Sequence, residues 1–331
     1  MSFVEVEHAR KQLKNFLPPT PLLRCKSLEH LLGLSTRLFL KCEHFQPTNS
    51  FKARGAAYAL LQMSEKEKQL GVVTRSSGNF AQAIAFFSYH LGIPCTVVMP
   101  ENVPNIKHMR TRTYTEQVIL HGLTHREGDE KARAISESTG AVLLSPYNHK
   151  DVIFGGGTIA LEILEEQAEI DHFFCPVGGG GLLSGASIAL KHKSPHSSIF
   201  AAEPQGAPDF YLSLKSGKKE EYTMQNTIAD GLKTPSVGDL NWPILQSNVD
   251  EAVLVSEEQI KKAMRLLYEH LGWIIEPSGA TSFAALIEQS ERIRGGNTVC
   301  VITGSNVRVE DFFTWIEESK FHSKEITCIA R

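Results

Sequence analysis

The chain has 331 residues, of which 42% are hydrophobic, and its formal net charge is −3. This composition excludes an intrinsically disordered chain and provides enough apolar side chains for about two domains with separate cores. Acidic and basic residues are interleaved, so no basic face indicates a nucleic acid and no polybasic tract indicates a membrane surface. We therefore expect neither of these partners and favour a small neutral or zwitterionic one.

The cysteines are scattered along the chain and include no CxxC pair, which is neither a disulfide framework nor a zinc-binding pattern. The N-terminal stretch carries acids and bases and lacks the apolar core of a signal peptide. No run of about 18 apolar residues, the length of a membrane span, occurs. We predict a cytoplasmic protein with reduced cysteines at positions Cys25, Cys42, Cys95, Cys175, Cys300 and Cys328.

The predicted elements alternate between helices and short apolar strands. Near the N-terminus, Val6, Leu13 and Leu17 lie at roughly helical spacing, and residues 47–50 form a turn that leads into the helix "FKARGAAYALL". The strands that follow are "GVVTRS", "PCTVVMP", "EQVILHG", "AVLLSPY", "DHFFCPV", "SSIFAAEP" and "NTVCVITGSN", and the helices between and after them are "FAQAIAFFSYHLG", "DEKARAISESTG", "DVIFGGGTIALEILEEQA", "LLSGASIALKHK" and "VEDFFTWIEES".

This alternation predicts an α/β fold with open, twisted, mostly parallel sheets that helices cover on both faces. The series of strands and helices within residues 69–148 is long enough to form a small domain. Residues 1–68 and 149–331 would then build a larger domain together.

Three junctions with glycine follow predicted strands, at the carboxyl ends where open α/β sheets bind ligands. The first is "SSGNF", residues 76–80, which opens a helix. Ser76, Ser77 and Asn79 offer hydroxyls and free backbone N–H groups that can hold a carboxylate at the positive end of this helix. An ordinary polar helix cap with Asn79 in a turn explains the same residues equally well.

The second junction, "PVGGGGLLSG", contains four consecutive glycines. Such a run costs backbone entropy that a simple turn does not require, and it lets amide groups converge on a phosphate. A dinucleotide site is the alternative, because Glu203 after the next strand suits a ribose hydroxyl. However, G-x-G-x-x-G would require glycine at Leu183, and no G-K-[ST] follows. We favour a phosphate-bearing ligand other than NAD or ATP, bound by Gly178, Gly179, Gly180 and Gly181.

The third junction, "VITGSN", brings Thr303, Ser305 and Asn306 to the end of a late strand, where they would serve equally well as caps. Lys52 is more informative. It would lie in the first turn of its helix, beside the positive end of the helix dipole and partly screened from water. Both effects lower the pKa of an ammonium group. The free amine that results can attack an aldehyde.

Together these motifs resemble the fold type II pyridoxal-phosphate enzymes, whose fold is that of the tryptophan synthase β chain. The resemblance is closest to the serine racemase and serine/threonine dehydratase branch. It covers nearly the whole chain, in the order "TPLLRC", "QPTNSFKARGA", "SSGNFAQAIA", "PVGGGGLLSG", "AAEPQGAPD", "TIADGLKT", "EPSGA" and "TGSN".

The resemblance implies a role for each motif. Lys52 would be linked covalently to pyridoxal phosphate and, once displaced by substrate, would act as the base at Cα. Phe51 would pack on the cofactor ring, Asn79 would bind its phenolic oxygen and the four glycines its phosphate. Thr303 would place a neutral hydroxyl against the ring nitrogen, which favours expulsion of a β-substituent over transamination.

These roles imply dehydration of L-serine or L-threonine to an oxo acid and ammonia, with the substrate carboxylate on Ser76, Ser77 and Asn79. Ser77 also matches the position from which relatives that racemise present a second proton donor. Two donors on opposite faces would permit inversion at Cα. A serine that only binds carboxylate explains Ser77 equally well. The alternatives are therefore a serine or aspartate racemase, a hydroxyaspartate dehydratase, and a sensor without catalysis on the same scaffold.

Three further features follow from the resemblance. "EPQGAPD" matches a site for Mg²⁺, Mn²⁺ or Ca²⁺, with carboxylates from Glu203 and Asp209 and the backbone carbonyl of Ala207. Phe80 stands where histidine is common, which puts the preferred substrate in doubt. Asn49 replaces a common glycine in a position that asparagine tolerates. The substrate pocket would also include Arg126, able to reach a second carboxylate, and Thr234. The family implies a homodimer.

Overall fold

The computed structural model describes residues 1–103 and 105–319, and its strands form two separate sheets. Cys328 lies outside the described residues. In chain order the strands are β1 (Leu22–Arg24), β2 (Arg37–Cys42), β3 (Val72–Arg75), β4 (Cys95–Met99), β5 (Val118–Leu120), β6 (Val142–Leu143), β7 (His172–Pro176), β8 (Ser198–Pro204), β9 (Glu251–Val255) and β10 (Asn297–Ile302).

Helices connect nearly all of these strands. They are α1 (Phe3–Leu13), α2 (Lys26–Leu31), α3 (Lys52–Leu61), α4 (Glu65–Leu70), α5 (Asn79–Leu91), α6 (Asn105–Arg112), α7 (His125–Thr139), α8 (Lys150–Glu166), α9 (Gly181–Lys193), α10 (Asp209–Ser216), α11 (Trp242–Asn248), α12 (Glu257–Leu271), α13 (Pro277–Gln289) and α14 (Val309–Glu318). Short 3₁₀ turns occur at Glu43–Phe45 and Asp230–Leu232.

The larger sheet has six strands in the order β1-β2-β10-β7-β8-β9, and only the pairing of β1 with β2 is antiparallel. Alternate residues of its central strands enter different cores. Phe173 of β7 packs into the core that contains α1, α3, α8 and α9, whereas Phe174 packs into the core that contains α12, α13 and α14. Because successive side chains of a strand point to opposite faces, helices cover this sheet on both sides.

The smaller sheet has four parallel strands in the order β5-β4-β3-β6. All of them lie inside the segment 69–148. The domain boundaries themselves remain a prediction from the sequence. The predicted α/β class with mostly parallel sheets is confirmed, since helices and parallel strands alternate through both sheets.

A buried cluster of charges fixes the position of α3. The guanidinium group of Arg54 donates to Glu43 at 2.7 and 2.8 Å and to Glu162 at 2.6 and 2.8 Å. Lys41 and Arg10 donate to Glu162 as well, at 2.9 and 3.0 Å. Three cations thus surround two buried carboxylates, and the cluster joins α1, β2, α3 and α8.

The remaining predictions about the environment concern thiols and membranes. Within the described residues, Cys25, Cys42, Cys95, Cys175 and Cys300 are free and buried. No helix in this part of the chain combines the length and the apolar character that crossing a membrane requires.

Candidate active site

A cavity of about 700 Å³ lies where the carboxyl ends of strands from both sheets face one another. The ends of β3 and β6 from the smaller sheet and of β7 and β10 from the larger sheet contribute to its walls. Open parallel sheets bind ligands at this edge, because loops and helix N-termini converge there. The predicted site residues in its lining are Phe51, Lys52, Ser76, Ser77, Asn79, Phe80, Gly178, Gly179, Gly180, Gly181, Thr234 and Thr303.

Lys52 is the first residue of α3 and projects into this cavity. Its Nζ donates a hydrogen bond of 2.8 Å to the carbonyl oxygen of Pro146 and lies 4.8 Å from the centre of the Phe51 ring. It lies 5.8 Å from the centre of the Phe80 ring. Burial lowers the pKa of the Lys52 amine to about 8, and the carboxylate of Glu276 only partly opposes this. The amine is therefore far closer to its nucleophilic form than an exposed lysine.

The four-glycine loop, residues 178–181, joins β7 to α9 and has the features of an anion cradle. Gly180 has a φ of 86°, a conformation that side chains rarely adopt. A Cβ on Gly179 would collide with the ring of Tyr147. Among the described residues, the backbone N–H groups of this loop find no protein acceptor. Free N–H donors at the start of a 13-residue helix suit a phosphate group.

The loop of residues 76–80 forms the opposite wall and leads into α5. Gly78 is the N-cap of α5. Because glycine has no side chain, the first N–H groups of α5 have no capping side chain. Ser76 is buried and Ser77 is partly exposed to the cavity. These hydroxyls and helix N–H groups can hold a carboxylate.

Two residues that lie beside the larger sheet hold the side chain of Asn79. Its amide donates to Oε1 of Glu276 at 2.7 Å, and its oxygen accepts a hydrogen bond of 2.9 Å from Asn306. One N–H of the Asn79 amide remains available for a ligand. The orientation of this side chain is thus decided before any ligand binds.

Glu276 also lines the cavity, although no role was expected for it from the sequence, where it begins the motif "EPSGA". It immediately precedes Pro277, the first residue of α13, and a proline there is typical of a helix start. Burial raises the pKa of its carboxyl to about 7, and the hydrogen bond from Asn79 partly offsets the rise. Glu276 therefore changes its charge near neutral pH, next to the amine of Lys52.

Two hydroxyls complete the inner wall. Thr303 follows β10, is buried, and donates a long hydrogen bond of 3.4 Å to the carbonyl oxygen of Ser278. Thr234 is also buried, and its Oγ1 has no partner among the described residues. Asn49 adopts a φ of 55°, the left-handed conformation expected for it from the sequence. Its carbonyl oxygen accepts from the N–H of Ser305, which ties the segment before Lys52 to the one after Thr303.

Arg126 is not brought to the cavity, contrary to the expectation from the sequence. Its side chain is 89% exposed and pairs with Glu130 one helical turn further along α7. Position 126 lies on the solvent face of α7, whereas His125 and Gly128 lie on the face that lines the cavity. The arginines that do line the cavity are Arg75, at the end of β3, Arg110 and Arg308.

The two acids of "EPQGAPD" lie together outside the cavity lining. Glu203 accepts hydrogen bonds from the N–H groups of Phe210 and Tyr211 at 2.9 and 2.6 Å. Neither carboxylate oxygen of Asp209 has a hydrogen-bond partner of normal geometry among the described residues. Burial raises the pKa of Glu203 well above its ordinary value and that of Asp209 to about 7, with nearby N–H groups opposing both shifts.

This pair does not by itself form a metal cluster. No group of three or more His, Cys, Asp or Glu side chains in the described part of the chain converges as metal ligands do. The orphaned oxygens of Asp209 are, however, the hard ligands that a divalent cation prefers. Ala207, whose carbonyl was predicted as a third ligand, is buried in the same loop.

An amine with a lowered pKa shares a cavity with a four-glycine loop at the carboxyl ends of parallel strands, which is the arrangement expected of an enzyme that holds a phosphorylated aldehyde on a lysine. Residues 13–304 match the family model described as pyridoxal-phosphate dependent enzyme. The chain therefore belongs to the pyridoxal-phosphate dependent enzymes.

Known relatives narrow the branch of this family. The chain is 39% identical to a serine racemase of Dictyostelium discoideum over 92% of its own length and 94% of the relative's. It is 35% identical to an L-threo-3-hydroxyaspartate ammonia-lyase of Saccharomyces cerevisiae, over 95% and 96% of the two chains. The structure of threonine deaminase isoform 2 from Solanum lycopersicum superposes with a TM-score of 0.89, at 30% identity, over 96% of this chain and 89% of that one. The predicted fold type II and the racemase and dehydratase branch are confirmed.

The residues present fit pyridoxal phosphate. Lys52 supplies the amine, Phe51 an aromatic face within 4.8 Å of that amine, and the four-glycine loop the free N–H donors for the phosphate. Asn79 keeps one N–H for a phenolic oxygen. A side chain at Gly179 would displace the neighbouring Tyr147 ring, so the cradle requires this glycine.

Proposed function

We propose that this protein is an ammonia-lyase that converts L-serine to pyruvate and L-threonine to 2-oxobutanoate, with release of ammonia. One observation carries the proposal. A single cavity unites a lysine amine whose pKa is lowered to about 8, a phosphate cradle, and a serine-rich helix start for a carboxylate. The relatives that are named as ammonia-lyases support the same reaction class.

Bound pyridoxal phosphate supplies the aldehyde that links to an amine and the conjugated ring that withdraws electrons from Cα. The chain supplies the rest. Ser76, Ser77 and the first N–H groups of α5 hold the substrate carboxylate and so orient the Cα–H bond. Phe51 and Phe80 exclude water from one side of the Lys52 amine.

The amine Nζ of Lys52 removes the proton from Cα of the substrate. A pKa of about 8 leaves an appreciable share of free amine at neutral pH, which is the condition for a general base. Loss of the β-hydroxyl follows, and the product hydrolyses to the oxo acid and ammonia. The water lost in elimination and the water consumed in hydrolysis balance. The buried, neutral Thr303 supports elimination, because a hydroxyl does not stabilise a protonated ring nitrogen as a carboxylate does.

Racemisation is the second candidate function, and Ser77 favours it. This hydroxyl lines the cavity as part of the carboxylate-binding loop, so it can supply a second proton donor besides Lys52. Serine racemases are among the relatives of the chain.

The proposal includes a divalent cation on Glu203, Asp209 and the carbonyl of Ala207, in a structural role. The two orphaned oxygens of Asp209 support it. We also propose a cytoplasmic homodimer. The free, buried thiols among the described residues are compatible with a reducing compartment, and the dimer is inferred from family resemblance.

The experiment is a substrate panel on the purified holoenzyme. L-serine and L-threonine should release oxo acid, and chiral analysis should detect any D-serine. Lys52→Ala should abolish both reactions and the absorbance of lysine-bound cofactor. Ser77→Ala should remove racemisation while elimination persists at a reduced rate. A holoenzyme that releases no oxo acid from any β-hydroxy amino acid rejects the ammonia-lyase proposal.

A further inference from the structure

Apart from Lys52, the cavity lining contains cations to which the proposed reaction of serine assigns no role. Three acids face it, Asp230, Glu276 and Asp311. The whole chain carries a net charge of −3, so this local excess of cations is opposite in sign to the charge of the whole chain. The lysines and arginines in its lining are Lys52, Arg75, Lys107, Arg110, Lys233 and Arg308.

Most of these cations lie at the mouth. Lys107 and Lys233 share Asp230 at 2.7 and 3.2 Å. Arg308 lies 3.6 Å from Glu310 and is half exposed. Arg110 is exposed on α6. These groups are either paired with Asp230 or exposed to solvent, so their charge attracts an anionic substrate to the cavity without fixing its orientation.

Arg75 differs from all of them because its side chain is only 16% exposed. Its Nε donates to Oδ1 of Asp129 at 2.9 Å, and its Nη2 bonds to Oδ2 of Asp129 at 3.3 Å and to Nδ1 of His125 at 3.0 Å. The Nη1 group has no partner among the described residues. Asp129, which is 56% exposed, lies on the solvent side of the pair.

The helix beside Arg75 is shaped to admit it. A Cβ at position 128 would lie 2.8 Å from Cγ and 3.2 Å from Cδ of Arg75, so a glycine is needed where the arginine crosses α7. Burial and the charge of Arg75 lower the pKa of His125, which keeps the imidazole neutral and able to accept from the guanidinium group. The guanidinium group is therefore positioned by three residues and has a free N–H end.

We propose that Arg75 recognises the side-chain carboxylate of a dicarboxylic β-hydroxy amino acid, of which hydroxyaspartate is the simplest. This inference rests on the proposed ammonia-lyase function and names its substrate class. Arg75 immediately precedes Ser76 and Ser77, so the two carboxylates of such a substrate would be bound by adjacent residues of one loop. The Nη1 group of Arg75, which neither Asp129 nor His125 occupies, offers N–H donors to this carboxylate, and hydrogen bonds between charged groups are stronger than neutral ones.

The test compares L-threo-3-hydroxyaspartate with L-serine as substrates of the holoenzyme. Arg75→Gln should lower kcat/KM for hydroxyaspartate by roughly 10- to 100-fold more than for L-serine, the range expected for loss of one charged hydrogen-bonded contact. Gly128→Ala retains the guanidinium group but displaces it, and it should reduce the same selectivity. Arg126→Gln, on the solvent face of the same helix, is the matched control and should leave the ratio unchanged.

Binding gives a readout independent of turnover. Calorimetric titration of the holoenzyme with succinate and butyrate should show preference for the dicarboxylate, and Arg75→Gln should remove that preference. Equal losses for both substrates in Arg75→Gln, a selective loss in Arg126→Gln, or a weaker affinity for pyridoxal phosphate as the main effect of Arg75→Gln would each overturn the assignment. In those cases L-serine turnover by the wild type still upholds the ammonia-lyase function. A wild type inactive on both substrates rejects the function together with this inference.

Discussion

The side-chain amide of Asn79 donates a hydrogen bond of 2.7 Å to the carboxylate of Glu276, across 197 positions of sequence. It joins the first residue of α5, beside the smaller sheet, to the residue before α13, beside the larger one. The bond has two consequences. It orients an amide that lines the cavity, and it keeps a titratable carboxyl next to the amine of Lys52.

Glu276→Gln should lower the pKa of the Lys52 amine further. The glutamine retains the oxygen that accepts from Asn79 but removes the negative charge that raises the pKa of Lys52. The pH dependence of borohydride-trapped cofactor should therefore shift to lower pH, by up to about 1 unit. Glu276→Ala also releases Asn79, and its kcat should fall well below that of Glu276→Gln. Identical behaviour of the two variants would show that the hydrogen bond has no function.

Lys52→Met should stabilise the cofactor-free protein at pH 7. Burial holds the pKa of Lys52 at about 8, below its ordinary 10.5, so the folded state must desolvate an ammonium group. Lys52 keeps part of its surface in the cavity, so we expect a gain of about 1 to 3 kcal/mol in urea unfolding. Above pH 8 the wild type releases this proton more readily when folded, so its stability should rise relative to the variant up to about pH 10.5.

The exposed Lys66 on α4 provides the control for this measurement. Lys66→Met should change the free energy of unfolding by less than about 0.5 kcal/mol. A similar gain in both variants would mean that loss of a positive charge, not burial of Lys52, is responsible.

Gly179→Ala should weaken binding of pyridoxal phosphate by roughly tenfold or more, because the new methyl group collides with the ring of Tyr147. Titration of the cofactor-free protein by absorbance or fluorescence measures this directly. Gly156→Ala in α8 is the control, since its Cβ would lie 3.4 Å from Cα of Leu182, an ordinary contact. Unchanged affinity in Gly179→Ala would contradict the cradle.

Glu162→Gln should destabilise the fold by about 3 kcal/mol at pH 7. Burial alone would raise the pKa of Glu162, but hydrogen bonds and charges from Arg54 and Lys41 outweigh burial and lower it to about 2. The folded pKa lies below the unfolded one, so this stabilisation is present above about pH 4.5 and is lost as the pH falls toward 2. Between pH 7 and 3.5, the free energy of unfolding in urea should fall less in Glu162→Gln than in the wild type. Glu165→Gln, whose carboxylate is half exposed and also pairs with Arg10, should behave nearly as the wild type.

Mg²⁺, Mn²⁺ or Ca²⁺ should raise the thermal unfolding temperature, and Asp209→Asn should abolish the rise. The carboxyl of Asp209 has a pKa raised to about 7, so a cation must compete with a proton and should bind more tightly at pH 8 than at pH 6. Asp239→Asn, an exposed acid paired with Lys219, is the control. If none of these cations raises the unfolding temperature of the wild type at pH 8, the proposed cation site is wrong.

Local signals in the chain account for much of what could be predicted. The four-glycine loop, the serine-rich helix start and the alternation of strands with helices are each encoded within about 20 residues. Their physics is local too, because turn geometry, helix capping and side-chain periodicity depend on near neighbours. The motif order added the cofactor and the branch of the family.

Arg75 and Arg126 show where the local signals end. Arg75 precedes the loop of residues 76–80, and Arg126 lies in the first turn of α7. The fold of α7 turns Arg126 toward solvent, whereas Gly128 of the same helix leaves room for Arg75. Glu276 illustrates the same limit, since no nearby residue reveals that it will meet Asn79.

The sequence by itself determined the α/β class and the glycine-rich loops, and it predicted Lys52 as the lysine that binds the cofactor, because these features depend on short segments. Tertiary structure alone decided which charges are buried together, as in the contacts of Arg54 with Glu43 and Glu162, and which cations face the cavity. The contact of Arg54 with Glu162 spans 108 positions of the chain. Desolvation, which shifts the pKa values of Lys52 and Glu276, exists only once the helices have packed.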